Sequence, residues 1–229
     1  VEYENHSVLY FVSDRNGGDV DTVHNIRSNP NDYKSERNRQ NYQNRGEYNS
    51  YEYHGDSQYI ETNRFYSGQK KAGTLNDSYT GKKIAPNEKM DLDHVVSAKE
   101  IHDDPGRVLS GLSGVDLANS PENLKPTNPH TNRQKRADSM DDYLEKHGDE
   151  YSESEKSRMR EADKKARESQ EARINMAYYT SPAFWQDSAI AAGKVGVKMG
   201  LRQALGFVFV SIITPLSVTS IYIHCIWIP

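Results

Sequence analysis

The sequence predicts an α+β chain: a small mixed unit near the middle, a polar segment before it and a long helical region after it. Three observations carry that prediction. Only 34% of the 229 residues are hydrophobic and 27% are charged, which is lean for one large core and fits a small folded unit with polar extensions. Residues 71–137 alternate turn signals (AGTLND, SYTGKKIAPNE, DDPGR, NSPENL) with short apolar runs. Residues 138–176 then switch to helix formers dense in charge.

Residues 1–70 read as a polar leader. Ten of the fifteen tyrosines lie within the first 80 residues. The stretch NSYEYHGDSQYIETNRFY (49–66) alternates tyrosine with polar residues and reads as a hairpin. Its interleaved Tyr and Arg could stack on bases. The competing reading is a poorly ordered leader, and composition leaves both open.

Residues 71–147 form the mixed unit. A long solvated helix is expected from residue 138 onward with an interruption at Gly148, so residues 148–185 are assigned as a charged helical segment. Glu161–Lys165 and Asp163–Arg167 are well-oriented i,i+4 pairs. The apolar stripe of Met159, Ala162, Ala166 and Met176 is too thin for a coiled coil. YYTSPAFW (178–185) breaks the pattern, and residues 186–229 form a tail rich in small and apolar residues.

Residues 204–229 contain no Asp, Glu, Lys or Arg. A bilayer span takes about 20 apolar residues, and Lys198 and Arg202 would flank one on one side. Pro215, His224 and several Ser/Thr make it a poor span. Membrane contact through 204–229 is thus the alternative to a cytoplasmic localisation. The latter is expected from the lone Cys225 and from an N-terminus unlike a secretory leader. One cysteine also excludes an intrachain disulfide and a cysteine zinc ribbon. With 29 basic and 33 acidic residues and a net charge of −4, the chain has no global basic balance. Nucleic-acid contact would have to come from local charge and metal.

The chemistry concentrates around MDLDHVVS (90–97), where Asp93-His94 opens a β-branched run. Alone this dipeptide is a weak signal. Downstream, ENLKPTNPHTNRQK (122–135) places Asn132 nine residues after Asn123 and Lys135 three later. The spacing reads as a turn at Thr80-Gly81, a strand over 91–96, a short inserted helix (SAKEIHDD), a second strand near 122–126, and a helix. Asn128 is a good N-cap for that helix and Pro129 a good first residue. Asn132 and Lys135, three apart, share a face. A hairpin packed on this helix would bring Asp93, His94 and Asn132 together.

This pattern of Asp-His before aliphatics, then Asn-Leu, then Asn-x-x-Lys resembles the HNH endonuclease family over about residues 75–145. The resemblance implies a small ββα-metal (His-Me finger) domain that cleaves DNA to a 5′-phosphate and a 3′-hydroxyl. It implies His94 as general base and Asp93 and Asn132 as ligands of Mg²⁺ or Mn²⁺. It also implies that Asn123 fixes the His94 ring, and that Lys135 and Arg133 face phosphate or support the site. A neutral histidine suits the base role, and Mg²⁺ needs few protein ligands because it keeps waters.

Two departures from the family stand out. The places of the zinc cysteines hold Asn128 and Thr131, so no structural zinc is expected and packing and hydrogen bonds must hold the finger. The connection from His94 to Asn123 is also long. Arg133, Lys135 and Arg136 form a small basic patch that faces either phosphate or solvent. Asp91, His102, Asp103, Asp104 and His130 read as structural or solvated. The rival functions are a non-catalytic nucleic-acid-binding module and a membrane-anchored interaction protein.

Overall fold

The computed structural model describes residues 20–195 and 205–206. Four helices come first: α1 (Val23–Ser28), α2 (Glu36–Gln43), α3 (Ser50–Gly55) and α4 (Ser57–Lys71). The hairpin expected over 49–66 is corrected to the helices α3 and α4. The reason is local. Asn49 and Asp56 cap the two helices, their side chains accepting from the amides of Tyr51 and Gln58. Tyr59 and Tyr66, seven apart, then fall on one helical face, which strand alternation would not give.

Nor is this stretch an unpacked leader. Val23, Ile26 and Tyr53 are buried. The buried Asp21 carboxylate accepts from the amides of Lys34 (2.6 Å) and Ser35 (3.1 Å) and from Asn38 Nδ2 (2.8 Å). Arg27 grips Asp104 through Nε (2.8 Å) and Nη2 (2.7 Å), tying α1 to the middle of the chain. A few apolar anchors and the bonded Asp21 and Arg27 side chains thus dock a segment of low hydrophobicity.

The sheet among the described residues has two antiparallel strands, β1 (Asp91–His94) and β2 (Leu124–Thr127), with Asp91 opposite Thr127 and His94 opposite Leu124. Between them run α5 (Ala98–Asp103), α6 (Pro105–Ser110) and α7 (Gly114–Ala118). After them comes α8 (Pro129–Lys135), capped by the Asn128 side chain on the Thr131 amide at 3.0 Å. The strand expected over 91–96 ends at His94. Beyond it the Asn123 carbonyl takes the Val95 amide (2.8 Å) and the Asn123 side chain takes the Val96 amide (2.8 Å), which turns the chain out of the ladder.

Asp77 fastens the turn before β1 to the β2–α8 junction. Oδ1 accepts from the amides of Tyr79 (2.8 Å) and Thr80 (3.0 Å). Oδ2 accepts from Thr127 Oγ1 (3.0 Å) and from the amide (2.8 Å) and Nδ2 (3.1 Å) of Asn128. Gly81, at φ 72°, lets this turn close, with its amide on the Asp77 carbonyl at 2.8 Å.

The C-terminal part comprises α9 (Met140–His147), a 3-10 turn (Gly148–Glu150), α10 (Glu153–Tyr179) and α11 (Pro182–Val195). The interruption expected at Gly148 is present, and Ser152 and Glu155 restart the helix with a reciprocal capping box. The pairs Glu161–Lys165 and Asp163–Arg167 form at 3.2 and 2.9 Å. However, α10 is more than a solvated helix. Met159, Ala166, Ile174 and Tyr178 are buried in the core, whereas Met176, expected in the same stripe, is 49% exposed. Two residues from both Ile174 and Tyr178, Met176 lies on the opposite side of the helix. Tyr178, Tyr179 and Phe184 close the core as an edge-to-face cluster with centroids about 5 Å apart. No helix among the described residues is long and apolar enough to cross a membrane. Apart from 205–206, the apolar tail 204–229 lies outside the described residues.

Candidate active site

Side chains alternate along β1, so Asp91 and Asp93 face α8 while His94 faces the other way, toward α3 and α4. A cleft of about 450 Å³ opens at this strand; Tyr59, Asp91, Asp93, His94, Asn132 and Arg136 are among its lining residues. Asp93, His94 and Asn132 all line this cleft, with the His94 ring on the opposite side of β1 from Asp93 and α8.

His94 is buried and fixed from three sides. Tyr59 stacks on its ring at 5.4 Å between centroids, and His54 meets it edge-on at 5.5 Å. Its Nε2 lies 2.8 Å from Asn119 Oδ1. The Asn119 amide has one sensible orientation, because its Nδ2 faces two acceptors, the Tyr53 carbonyl (2.9 Å) and Asp56 Oδ1 (3.0 Å). Oδ1 must therefore accept, and His94 Nε2 must carry the hydrogen. The neutral ring then keeps its lone pair on Nδ1. Burial pushes the imidazole down to about 4, with His54 and Lys135 adding to the effect and the Asn119 bond opposing it. At neutral pH the ring is uncharged.

Asp93 is buried against two donors. Tyr79 donates its hydroxyl to Oδ2, and Lys135 Nζ lies 3.2 Å from Oδ2 and 3.4 Å from Oδ1. Burial pushes the Asp93 carboxyl above the usual carboxylate pKa range, although Lys135 and Tyr79 pull the other way. Lys135 is itself fully buried and also donates to the His94 carbonyl at 3.0 Å. The phosphate-facing role for Lys135 is thereby corrected: its ammonium is an internal brace joining α8 to β1. A buried carboxylate needs a cation, and Lys135 on the inner face of α8 is the one in reach.

Asn132 Nδ2 donates to Asp91 Oδ2 at 3.2 Å, which leaves Oδ1 of Asn132 as its free acceptor. Arg133, proposed for phosphate, instead pairs with Asp91 at 3.1 Å from an exposed position. Among the described residues no group of three or more His, Cys, Asp or Glu is placed to hold a metal ion. The donors present, the Asp93 carboxylate and the Asn132 amide oxygen, are hard oxygens on one cleft. They are the donor type that Mg²⁺ takes, one or two carboxylates with waters kept, but both Asp93 oxygens already bond to Lys135, and Oδ2 to Tyr79 as well.

No family model matches the chain, and no curated protein or solved structure is significantly similar to it.

The role expected of Asn123 changes in kind. Fully buried, it donates Nδ2 to the carbonyls of Val96 (3.0 Å) and Ala118 (2.9 Å) and accepts from the Val96 amide. It positions the backbone after His94, and the ring itself is held by Asn119. Nothing in the sequence singled out Asn119, which follows the short helix α7 and meets His94 across 25 positions. Tyr59 and His54 were read as parts of a hairpin, so their seat beside His94 was missed. The Gly55-Asp56-Ser57 capping signal could have revealed α4.

Proposed function

We propose that the chain is a metal-dependent endonuclease of the HNH type that hydrolyses DNA phosphodiester bonds. One observation carries this reading: a buried histidine whose tautomer is fixed by Asn119, with Nδ1 left as the basic atom, beside hard oxygen donors on one cleft. The succession of β1, β2 and α8, with the helix bonded to β1 through Asp91 and Asp93, supports a ββα-metal finger. The choice of DNA rests on the sequence resemblance.

In this mechanism His94 Nδ1 accepts a proton from water as the oxygen attacks phosphorus; the bond from phosphorus to the 3′-oxygen breaks, and that oxygen takes a proton from solvent to leave as the 3′-hydroxyl. An anionic phosphate beside the ring favours imidazolium, so substrate raises the basicity of His94 when the proton must be taken. Mg²⁺ held by Asp93 and Asn132 would supply charge neutralisation at the phosphoryl and leaving oxygens. Asn119 holds the ring in the correct tautomer, and Lys135 holds Asp93 and the His94 carbonyl in register.

The test is plasmid nicking by the full chain with Mg²⁺ and with EDTA, beside His94→Ala. The full chain is required because Tyr178, Tyr179 and Phe184 complete the core. Metal-dependent nicking lost in the variant supports the reading; an equal rate in the variant removes His94 from the chemistry. A second reading, a nucleic-acid-binding module without cleavage, is favoured by the engagement of both Asp93 oxygens by Lys135. DNA binding by a folded wild type that never nicks in Mg²⁺ or Mn²⁺ would select it.

A further inference from the structure

Arg136 is the one non-glycine residue with positive φ among the described residues, at φ 52° and ψ −118°. That ψ lies outside the left-handed helical region and matches the first central position of a type II′ turn, where glycine is the ordinary occupant. The turn is closed: the Asp138 amide donates to the Lys135 carbonyl at 3.0 Å, and the Arg136 amide donates to the Asn132 carbonyl at 3.0 Å. An arginine therefore sits where its backbone is strained. Such strain persists where the surroundings over-determine it, and it gathers at ligand clamps.

The surroundings here are the candidate site. Lys135, the preceding residue, is pulled inward to Asp93, and the turn after it leaves the Arg136 side chain on the cleft. Arg136 is exposed, and its guanidinium has no hydrogen-bond or ion-pair partner among the described residues. Its basic neighbours on α8 and the other cation lining the cleft are committed. Arg133 pairs with Asp91, Lys135 is buried on Asp93, and Lys99, also on the cleft, pairs with Asp103 at 2.5 Å.

We infer that Arg136 is the anion-binding residue of this cleft, and that its guanidinium grips a backbone phosphate of the bound nucleic acid. The inference rests on reading the cleft as a nucleic-acid site. Two parallel N–H donors match two phosphate oxygens, which a lysine ammonium cannot reproduce in that geometry. The contact carries no sequence information and serves affinity and register.

The experiment compares the full-length wild type with Arg136→Gly and Arg136→Lys. It reads thermal midpoint, affinity for a short DNA duplex in EDTA across a salt series, and nicking in Mg²⁺. Glycine relieves the backbone, so Arg136→Gly should melt at or above the wild-type temperature. It should nevertheless bind DNA about tenfold more weakly, with a salt slope shallower by about one. Arg136→Lys should fall between. Unchanged affinity and slope in Arg136→Gly would overturn the inference, and continued nicking would leave the endonuclease reading standing. Arg136-dependent binding without nicking would do the reverse. A wild type that binds no DNA overturns both.

Discussion

Asn119 Oδ1 accepts a 2.8 Å hydrogen bond from His94 Nε2, and the other end of the same amide is pinned by the Tyr53 carbonyl and Asp56. One asparagine thus converts a helix cap and a backbone carbonyl into a tautomer choice. Asn119→Leu should lose stability, as the buried Tyr53 carbonyl, Asp56 Oδ1 and His94 Nε2–H lose their partner, and should lower nicking by about 10–100-fold in the protein that folds. Nitrogen NMR of His94 should show the Nε2–H tautomer in the wild type and a mixture in the variant. A full rate together with a mixed tautomer would discard the orienting role.

Lys135 and Asp93 form a buried ion pair at 3.2 Å. Removing one partner leaves the other charge buried and unpaired, which typically costs about 3–5 kcal/mol. Lys135→Met should lose stability of that order in chemical denaturation. If stability is unchanged while the salt dependence of DNA binding weakens, Lys135 faces phosphate after all.

Asn123 makes three side-chain hydrogen bonds inside the protein. Asn123→Ala should cost about 2–4 kcal/mol, since the buried amide and carbonyls of Val96 and Ala118 lose their partners. The His94 tautomer should be unaffected because Asn119 sets it. A variant of wild-type stability with an altered His94 nitrogen signal would assign the two asparagines the other way round.

Glu155 accepts from Lys82, at 2.9 Å, and from the amide (2.8 Å) and hydroxyl (2.7 Å) of Ser152. These bonds, led by the one from Lys82, hold its carboxyl at about 2 against an ordinary 4.5. The folded value is the lower one, so the contribution is fully present above 4.5 and is lost as pH falls toward 2. Thermal midpoints measured from neutral pH down to about 2 should fall less steeply for Glu155→Gln than for the wild type. Parallel curves would show that the Lys82 and Ser152 bonds do not survive in solution.

Of the elements around the cleft, the sequence by itself determined α8 and the position of β1, but not α3 and α4. Asn128 before Pro129 announced α8, and the stretch 91–96 placed β1, although its Val95-Val96 end turned out to lie beyond the ladder. The three-residue spacing placed Asn132 and Lys135 on one face of α8, as both bonding to β1 bears out. These are local signals: caps, β-branching and helical period act within a few residues. Only the tertiary structure decided what each side chain meets. It turned Lys135 inward to Asp93, gave the His94 ring to Asn119 rather than Asn123, and seated Tyr59 of a supposed hairpin on that ring. The physical reason is burial. Once Asp93 and His94 leave water, each must find its partner among whatever donors and acceptors the packing brings near, and those partners lie 14 to 42 positions away along the chain.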